Sequence, residues 1–212
     1  MKVKRFALGP LMTNGYLISD QHGNAIFIDP AAETSIVLDW IRGNKLELKA
    51  VLLTHGHVDH TAGLEDVSFS DLVNGEIYIN ATDSNMVLKP QKEIAQMLGF
   101  SFDGISSCKN IEDGEELSFG DIIVKVIATP GHTEGSVCLL IREREEIPAL
   151  FSGDTLFAGS VGRTDLPGGD FSALERSLVK LASLPSELVV YPGHGPSTTI
   201  FNEMRKNPFW PR

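Results

Sequence analysis

Short apolar runs of strand length alternate along the chain with polar, glycine-containing breaks. Tyr16-Leu17-Ile18-Ser19 and Ala25-Ile26-Phe27-Ile28 predict two strands joined by the turn Gln21-His22-Gly23-Asn24, with Asn14-Gly15 as a hairpin-turn signal before them. From Ser35 to Arg42, Ile36, Val37, Trp40 and Ile41 recur at helical spacing, and Gly43 marks the stop. A second helix is predicted from Phe171 to Leu184. Phe171, Leu174, Leu178 and Leu181 line one face, and Ser172 with Glu175 makes a capping-box pattern. The region 111–152 reads as strands at Glu116–Phe119, Asp121–Ala128, Ser136–Ile141 and Ala149–Phe151, with Glu143-Arg144-Glu145-Glu146 as a solvated hairpin tip. Thr82–Leu98 has helical spacing but contains Pro90, which divides it in two.

Four apolar runs lead directly into polar residues of ligand type. Ala50-Val51-Leu52-Leu53 precedes His55, and Val124-Lys125-Val126-Ile127 leads through Pro130-Gly131 to His132. Ala149-Leu150-Phe151 precedes Asp154, and Leu188-Val189-Val190-Tyr191 precedes His194. Strand ends in α/β proteins converge on one edge, so these residues are expected to meet in one site.

Composition narrows the setting. The 212 residues suit one domain, 1–212, and an apolar fraction of 42% excludes disorder. A formal net charge of -10 argues against nucleic acid or an anionic membrane as partner. No apolar run reaches membrane-spanning length. The basic start, Met1 to Arg5, is followed by an apolar stretch cut at Gly9-Pro10 with no cleavage site, so a cytoplasmic location is expected. Cys108 and Cys138 form no CxxC, and Cys138 reads as a small buried apolar residue.

The strongest local signal is His55-Gly56-His57-Val58-Asp59-His60. In an extended segment His55 and His57 face the same way, and Asp59 keeps that parity. His60 is expected just before a helix opening at Thr61-Ala62-Gly63-Leu64, whose positive end keeps its ring neutral. The plain alternative is a polar surface turn, which has no need for three imidazoles and a carboxylate in six residues. His132, Asp154 and His194 are weaker signals singly, but each follows a glycine that permits a sharp approach to a cleft. Five of the six histidines belong to this set; His22 reads as solvent-exposed. Seven ligands exceed one tetrahedral ion and suit two divalent metals, with the Asp154 carboxylate as bridge. Two such ions about 3.5–4 Å apart hold a hydroxide between them. Imidazole and carboxylate donors admit zinc, iron or manganese.

This ordered set, His55-x-His57-x-Asp59-His60 with His132, Asp154 and His194, resembles the metallo-β-lactamase superfamily across essentially the whole chain. The resemblance implies an α/β fold of αββα sandwich type. It assigns His55, His57 and His132 to a first metal, and Asp59, His60 and His194 to a second, with Asp154 bridging. Thr129-Pro130-Gly131-His132-Thr133, Ser152-Gly153-Asp154-Thr155-Leu156-Phe157, Gly162-Arg163-Thr164-Asp165-Leu166-Pro167-Gly168 and Tyr191-Pro192-Gly193-His194-Gly195 look like glyoxalase II proteins. True β-lactamases usually carry Cys where Asp154 stands, which argues against antibiotic hydrolysis. Longer glyoxalase II enzymes add a C-terminal glutathione-binding helical domain; this chain ends soon after His194.

The expected activity is therefore hydrolysis of a small-molecule thioester such as S-lactoylglutathione by a metal-bridging hydroxide, with zinc as first choice. Asp59 and Asp154 are the candidate catalytic carboxylates. Arg163 is the candidate substrate contact, its alternative being a brace to Asp165. The rival readings are a mononuclear-iron persulfide dioxygenase, using His55, His132 and Asp154, and a non-catalytic scaffold on the same fold.

Overall fold

Period-two alternation decides the layers. In the strand Asn24–Ile28, Ala25 and Phe27 face one side while Ile26 and Ile28 face the other, and all four are buried. A strand apolar on both faces needs cover on both sides, as this chain supplies. A computed structural model describes residues 1–68, 73–144 and 146–211.

The first half runs β1 (Lys2–Leu8), β2 (Thr13–Ser19), β3 (Asn24–Ile28), α1 (Ser35–Gly43), β4 (Glu47–Leu52), α2 (Val58–Thr61), α3 (Leu64–Ser68), β5 (Val73–Asn80), α4 (Ser84–Leu88), α5 (Lys92–Met97) and β6 (Lys109–Ile111). The second half runs β7 (Glu116–Phe119), β8 (Ile122–Ala128), β9 (Val137–Glu143), β10 (Ala149–Gly153), the short pair β11 (Leu156–Phe157) and β12 (Ser160–Val161), α6 (Phe171–Ala182), β13 (Val189–Pro192), β14 (Thr198–Thr199) and α7 (Ile200–Lys206). The first sheet has order β1-β2-β3-β4-β5-β6, antiparallel over its first three strands and parallel after them. The second has order β14-β13-β10-β9-β8-β7, with one parallel pair, β10 with β13.

Three apolar layers bind the sheets and helices together. The middle one joins Tyr16, Ile18, Ile26, Ile28, Ala50 and Leu52 of the first sheet to Val124, Val126, Leu139, Ile141 and Phe151 of the second. Outside the first sheet, Leu17, Phe27, Leu48 and Val51 pack against α1, α3, α4 and α5 through Val37, Ile41, Leu64, Val87 and Ala95. Outside the second, Ile127, Cys138, Leu150 and Val190 pack against Leu178 and Leu181 of α6 and Ile200 of α7. The expected αββα sandwich is thus the architecture adopted.

The predicted strands and the division of Thr82–Leu98 around Pro90 hold in the structure. Several local expectations do not. Asn14-Gly15 makes no turn: both residues lie inside β2, paired with Ala7 and Phe6. The basic opening residues, unassigned from sequence, enter β1. The helix begins at Phe171 as predicted, but the Ser172–Glu175 capping box does not form, because the N-cap is Asp170, two residues before Ser172. The Asp170 side chain accepts from Ala173 N, in keeping with the preference for Asp at that position. Phe171 is consequently exposed instead of joining the buried stripe. In α1 the buried face is Val37, Leu38 and Ile41, with Ile36 and Trp40 outside. Glu143 is no solvated tip, for it is buried and pairs with the Met1 amino group.

Asp170→Ala removes an acceptor from the first turn of α6 and is expected to cost about 1 kcal/mol of stability. Urea unfolding followed by circular dichroism measures it; an unchanged midpoint would remove the capping role.

Candidate metal centre

The convergence begins with strand direction. His55 follows the C-terminal end of β4, and His57, Asp59 and His60 continue from it into α2. His132 lies beyond the C-terminal end of β8, Asp154 immediately after β10, and His194 two residues after β13. All seven predicted residues meet where the two sheets open onto the same edge.

His57 Nδ1 lies 2.8 Å from His132 Nε2, and His55, His57 and His132 form one group whose ligand atoms are mutually within 4.8 Å. Asp59, His60 and His194 form another, with His194 Nε2 at 3.2 Å and His60 Nε2 at 3.6 Å from Asp59 Oδ2. Asp154 stands between them. Its Oδ1 is 3.3 Å from His60 Nε2, and its Oδ2 is 3.6 Å from both His132 Nε2 and His194 Nε2. Gly193 makes this approach possible, since a Cβ there would lie 2.3 Å from Asp154 Oδ1.

Hydrogen bonding fixes which ring nitrogen each histidine presents. Thr54 Oγ1 donates to Asp29 Oδ2, so it accepts from His55 Nδ1–H and leaves His55 Nε2 bare. His60 Nδ1–H donates to the same Asp29 oxygen at 2.9 Å, and His132 Nδ1–H donates to the Arg163 carbonyl at 2.7 Å. The cluster-facing nitrogens of His55 and His132 therefore carry lone pairs, and His60 is held in the same way through its other nitrogen, the usual arrangement for a ligand imidazole.

His55 Nε2, His60 Nε2 and Asp154 Oδ1 are buried without a hydrogen-bond partner. Such atoms are costly unless something binds them. Burial, together with the neighbouring imidazoles, pushes His55 well below the usual histidine range and His57 to about 4, which favours the neutral, metal-binding form. Burial opposes charge at His60 and His194 as well, yet Asp154 and Asp59 outweigh it and raise both. These carboxylates call for positive charge at this place. Asp59 and Asp154 themselves are held below the usual carboxylate range against burial, chiefly by His60 and His194. An imidazole and carboxylate set of this kind, with no thiolate, fits divalent zinc, iron or manganese.

Two expectations change. His60 does not precede a helix but lies within α2, and Asp29 rather than a helix dipole governs its ring. The Arg163 guanidinium is exposed and forms a fork with Asp165, both bonds at 2.7 Å, so the bracing alternative describes its position. Its backbone carbonyl, not its side chain, enters the site. Asp29, only 1% exposed and with φ +51°, was missed from sequence although it ends the run Ala25–Ile28. The rule applied to four other strand ends would have found it.

The sequence model of the Metallo-beta-lactamase superfamily matches residues 8–194. Hydroxyacylglutathione hydrolase GloC of Haemophilus influenzae is 32% identical, covering 99% of this chain and 98% of its own length. The solved structure of TTHA1623 in a di-iron-bound form superposes with a TM-score of 0.85 at 38% identity, over 98% of this chain and all of that one. The B3 metallo-beta-lactamase BLEG-1 superposes with a TM-score of 0.88 at 33% identity, over 98% of this chain and 99% of its own.

Because Asp29 orients His60 directly and His55 through Thr54, Asp29→Asn is expected to weaken metal binding by about 10–100-fold. Zinc competition against a chromophoric chelator checks this, and wild-type affinity in the variant would remove Asp29 from the ligand-orienting role.

Proposed function

This chain belongs to the metallo-β-lactamase superfamily, and from that premise we propose that it is a dinuclear metal-dependent thioester hydrolase acting on a substrate such as S-lactoylglutathione. The observation that carries the reading is Asp154, placed between two triads, each with one buried ring nitrogen, His55 Nε2 and His60 Nε2, that has no hydrogen-bond partner within the protein. In this proposal His55, His57 and His132 would hold one ion and Asp59, His60 and His194 the other, with the Asp154 carboxylate available to both. Bound there, the ions would lower the pKa of a coordinated water toward about 7 and serve as Lewis acids toward a carbonyl oxygen.

The protein's own groups do the remaining work. Asp59 stays ionised beside His60 and His194, with Thr13 Oγ1 donating to its Oδ2 at 3.3 Å, so it accepts a hydrogen bond from the attacking water and orients it. Asp154 fixes the spacing of the two triads. No general acid is needed for departure, because the parent thiol of a thiolate leaving group has a pKa of about 8.5. A covalent route through cysteine is unsupported: burial raises the Cys108 thiol, and raises that of Cys138, fully buried in β9, to about 11. The choice of a thioester is supported by the Haemophilus relative, whose named activity belongs to a chain matched over 98% of its length.

The test is S-lactoylglutathione hydrolysis by zinc-loaded protein under anaerobic conditions, with Asp154→Ala as control. Turnover should be lost with a chelator and fall at least ~100-fold in the variant, a loss on the scale of removing a catalytic group. Faster cleavage of a β-lactam than of the thioester would overturn the substrate assignment. Oxygen uptake with a persulfide by iron-loaded protein, without thioester turnover, would replace hydrolysis by sulfur oxidation.

A further inference from the structure

Asp83 occupies the N-cap position of α4, where an aspartate ordinarily accepts from its own helix, yet its side chain makes no such bond. The carboxylate, only 3% exposed, turns instead toward the two loops that carry the first triad. Its Oδ2 accepts from Gly56 N at 3.0 Å and from Thr133 Oγ1 at 2.7 Å, and its Oδ1 accepts from Gly135 N at 2.9 Å. Gly56 lies between His55 and His57, and Thr133 directly follows His132. The fit is close, because a Cβ on Gly135 would lie 2.5 Å from Asp83 Oδ1.

We propose that Asp83 is a positioning residue for the first metal site, setting the distance between the His55–His57 loop and the His132 loop; this rests on the dinuclear reading above. Two loops from different sheets must place three ring nitrogens around one ion, and strand pairing fixes neither loop relative to the other. One buried carboxylate bonded to both supplies that constraint, and its charge is satisfied by backbone N–H groups and a hydroxyl. The second triad receives no bond from Asp83. Its geometry comes from α2, Asp29 and the loop after β13.

The consequence is selectivity between the two sites, which a general loss of stability would not produce. Asp83→Asn retains the size but puts an amide NH2 against one of the donors. In a His194→Ala background, which keeps the first triad intact, it is expected to weaken cobalt(II) binding by about 10–100-fold. In a His132→Ala background, which keeps the second triad, the same substitution should leave cobalt affinity unchanged within about threefold, since a ligand set it does not touch is not expected to share that loss. Affinities are read by competition with a chromophoric chelator. Thr133→Val, which removes one of the three donors, should shift the first site the same way, and Thr133→Ser should restore it. Equal weakening of both sites, or of neither, would overturn the role of Asp83. A wild-type chain that takes no cobalt would overturn the metal reading and this role with it, whereas normal wild-type loading with an indifferent Asp83→Asn overturns the role alone.

Discussion

The rings of His55, His60 and His132 are each tied through the nitrogen that faces away from the cluster, and the Asp29 carboxylate is the group on which two of the three depend. It accepts from Thr54 N and Thr54 Oγ1, which orients His55, and from His60 Nδ1. One buried oxygen thereby sets two rings belonging to different triads. Without it, His55 and His60 would be free to rotate or to exchange tautomers, and the lone pairs that face the cluster would no longer be fixed. Asp29 can do this because it stands at the end of β3, beside β4, which delivers Thr54 and His55.

The architecture divides the holding of the site between carboxylates. Asp29 acts within the first sheet and reaches both triads. Asp83 links loops from the two sheets, and the bond from Val137 N to Thr54 O ties the start of β9 to the end of β4 at the same place. The middle apolar layer keeps the sheets in register on a coarser scale, through contacts such as Tyr16 edge-on to Phe151 at 5.2 Å. Apolar packing sets the spacing of the sheets, and buried hydrogen bonds then refine it to the tolerance that a metal requires.

What the sequence disclosed follows from the range of each signal. Alternating burial in β3 and the glycine-flanked ligands after β8, β10 and β13 are visible because each is local. The αββα layering came from resemblance to a family, and the alternation on both faces of β3 agrees with it. Asp83 was not legible, because a polar Thr82-Asp83-Ser84 step before a helix reads as an ordinary cap, and its partners lie 27 to 52 residues away. Glu143 differs for a similar reason: in a run of charged residues nothing local marks Glu143 as folding inward. Asn14-Gly15 carries a genuine turn propensity, overridden by seven paired residues between β1 and β2.

The same constraint bears on specificity. One relative is named for hydroxyacylglutathione hydrolysis and one structural neighbour for β-lactam hydrolysis, at nearly equal identity to this chain. A shared fold serves both names, so the ligand cluster alone does not select a substrate. Selection has to lie in groups around the centre that the buried network leaves free. Leu11 and Met12 are exposed in the turn before Thr13, and the next residue bonds to Asp59, so this turn stands at the border between the rigid interior and solvent. Under the function proposed above, the interior is given over to the metal ligands, and discrimination among substrates would fall to short exposed segments whose sequence carries little periodic signal.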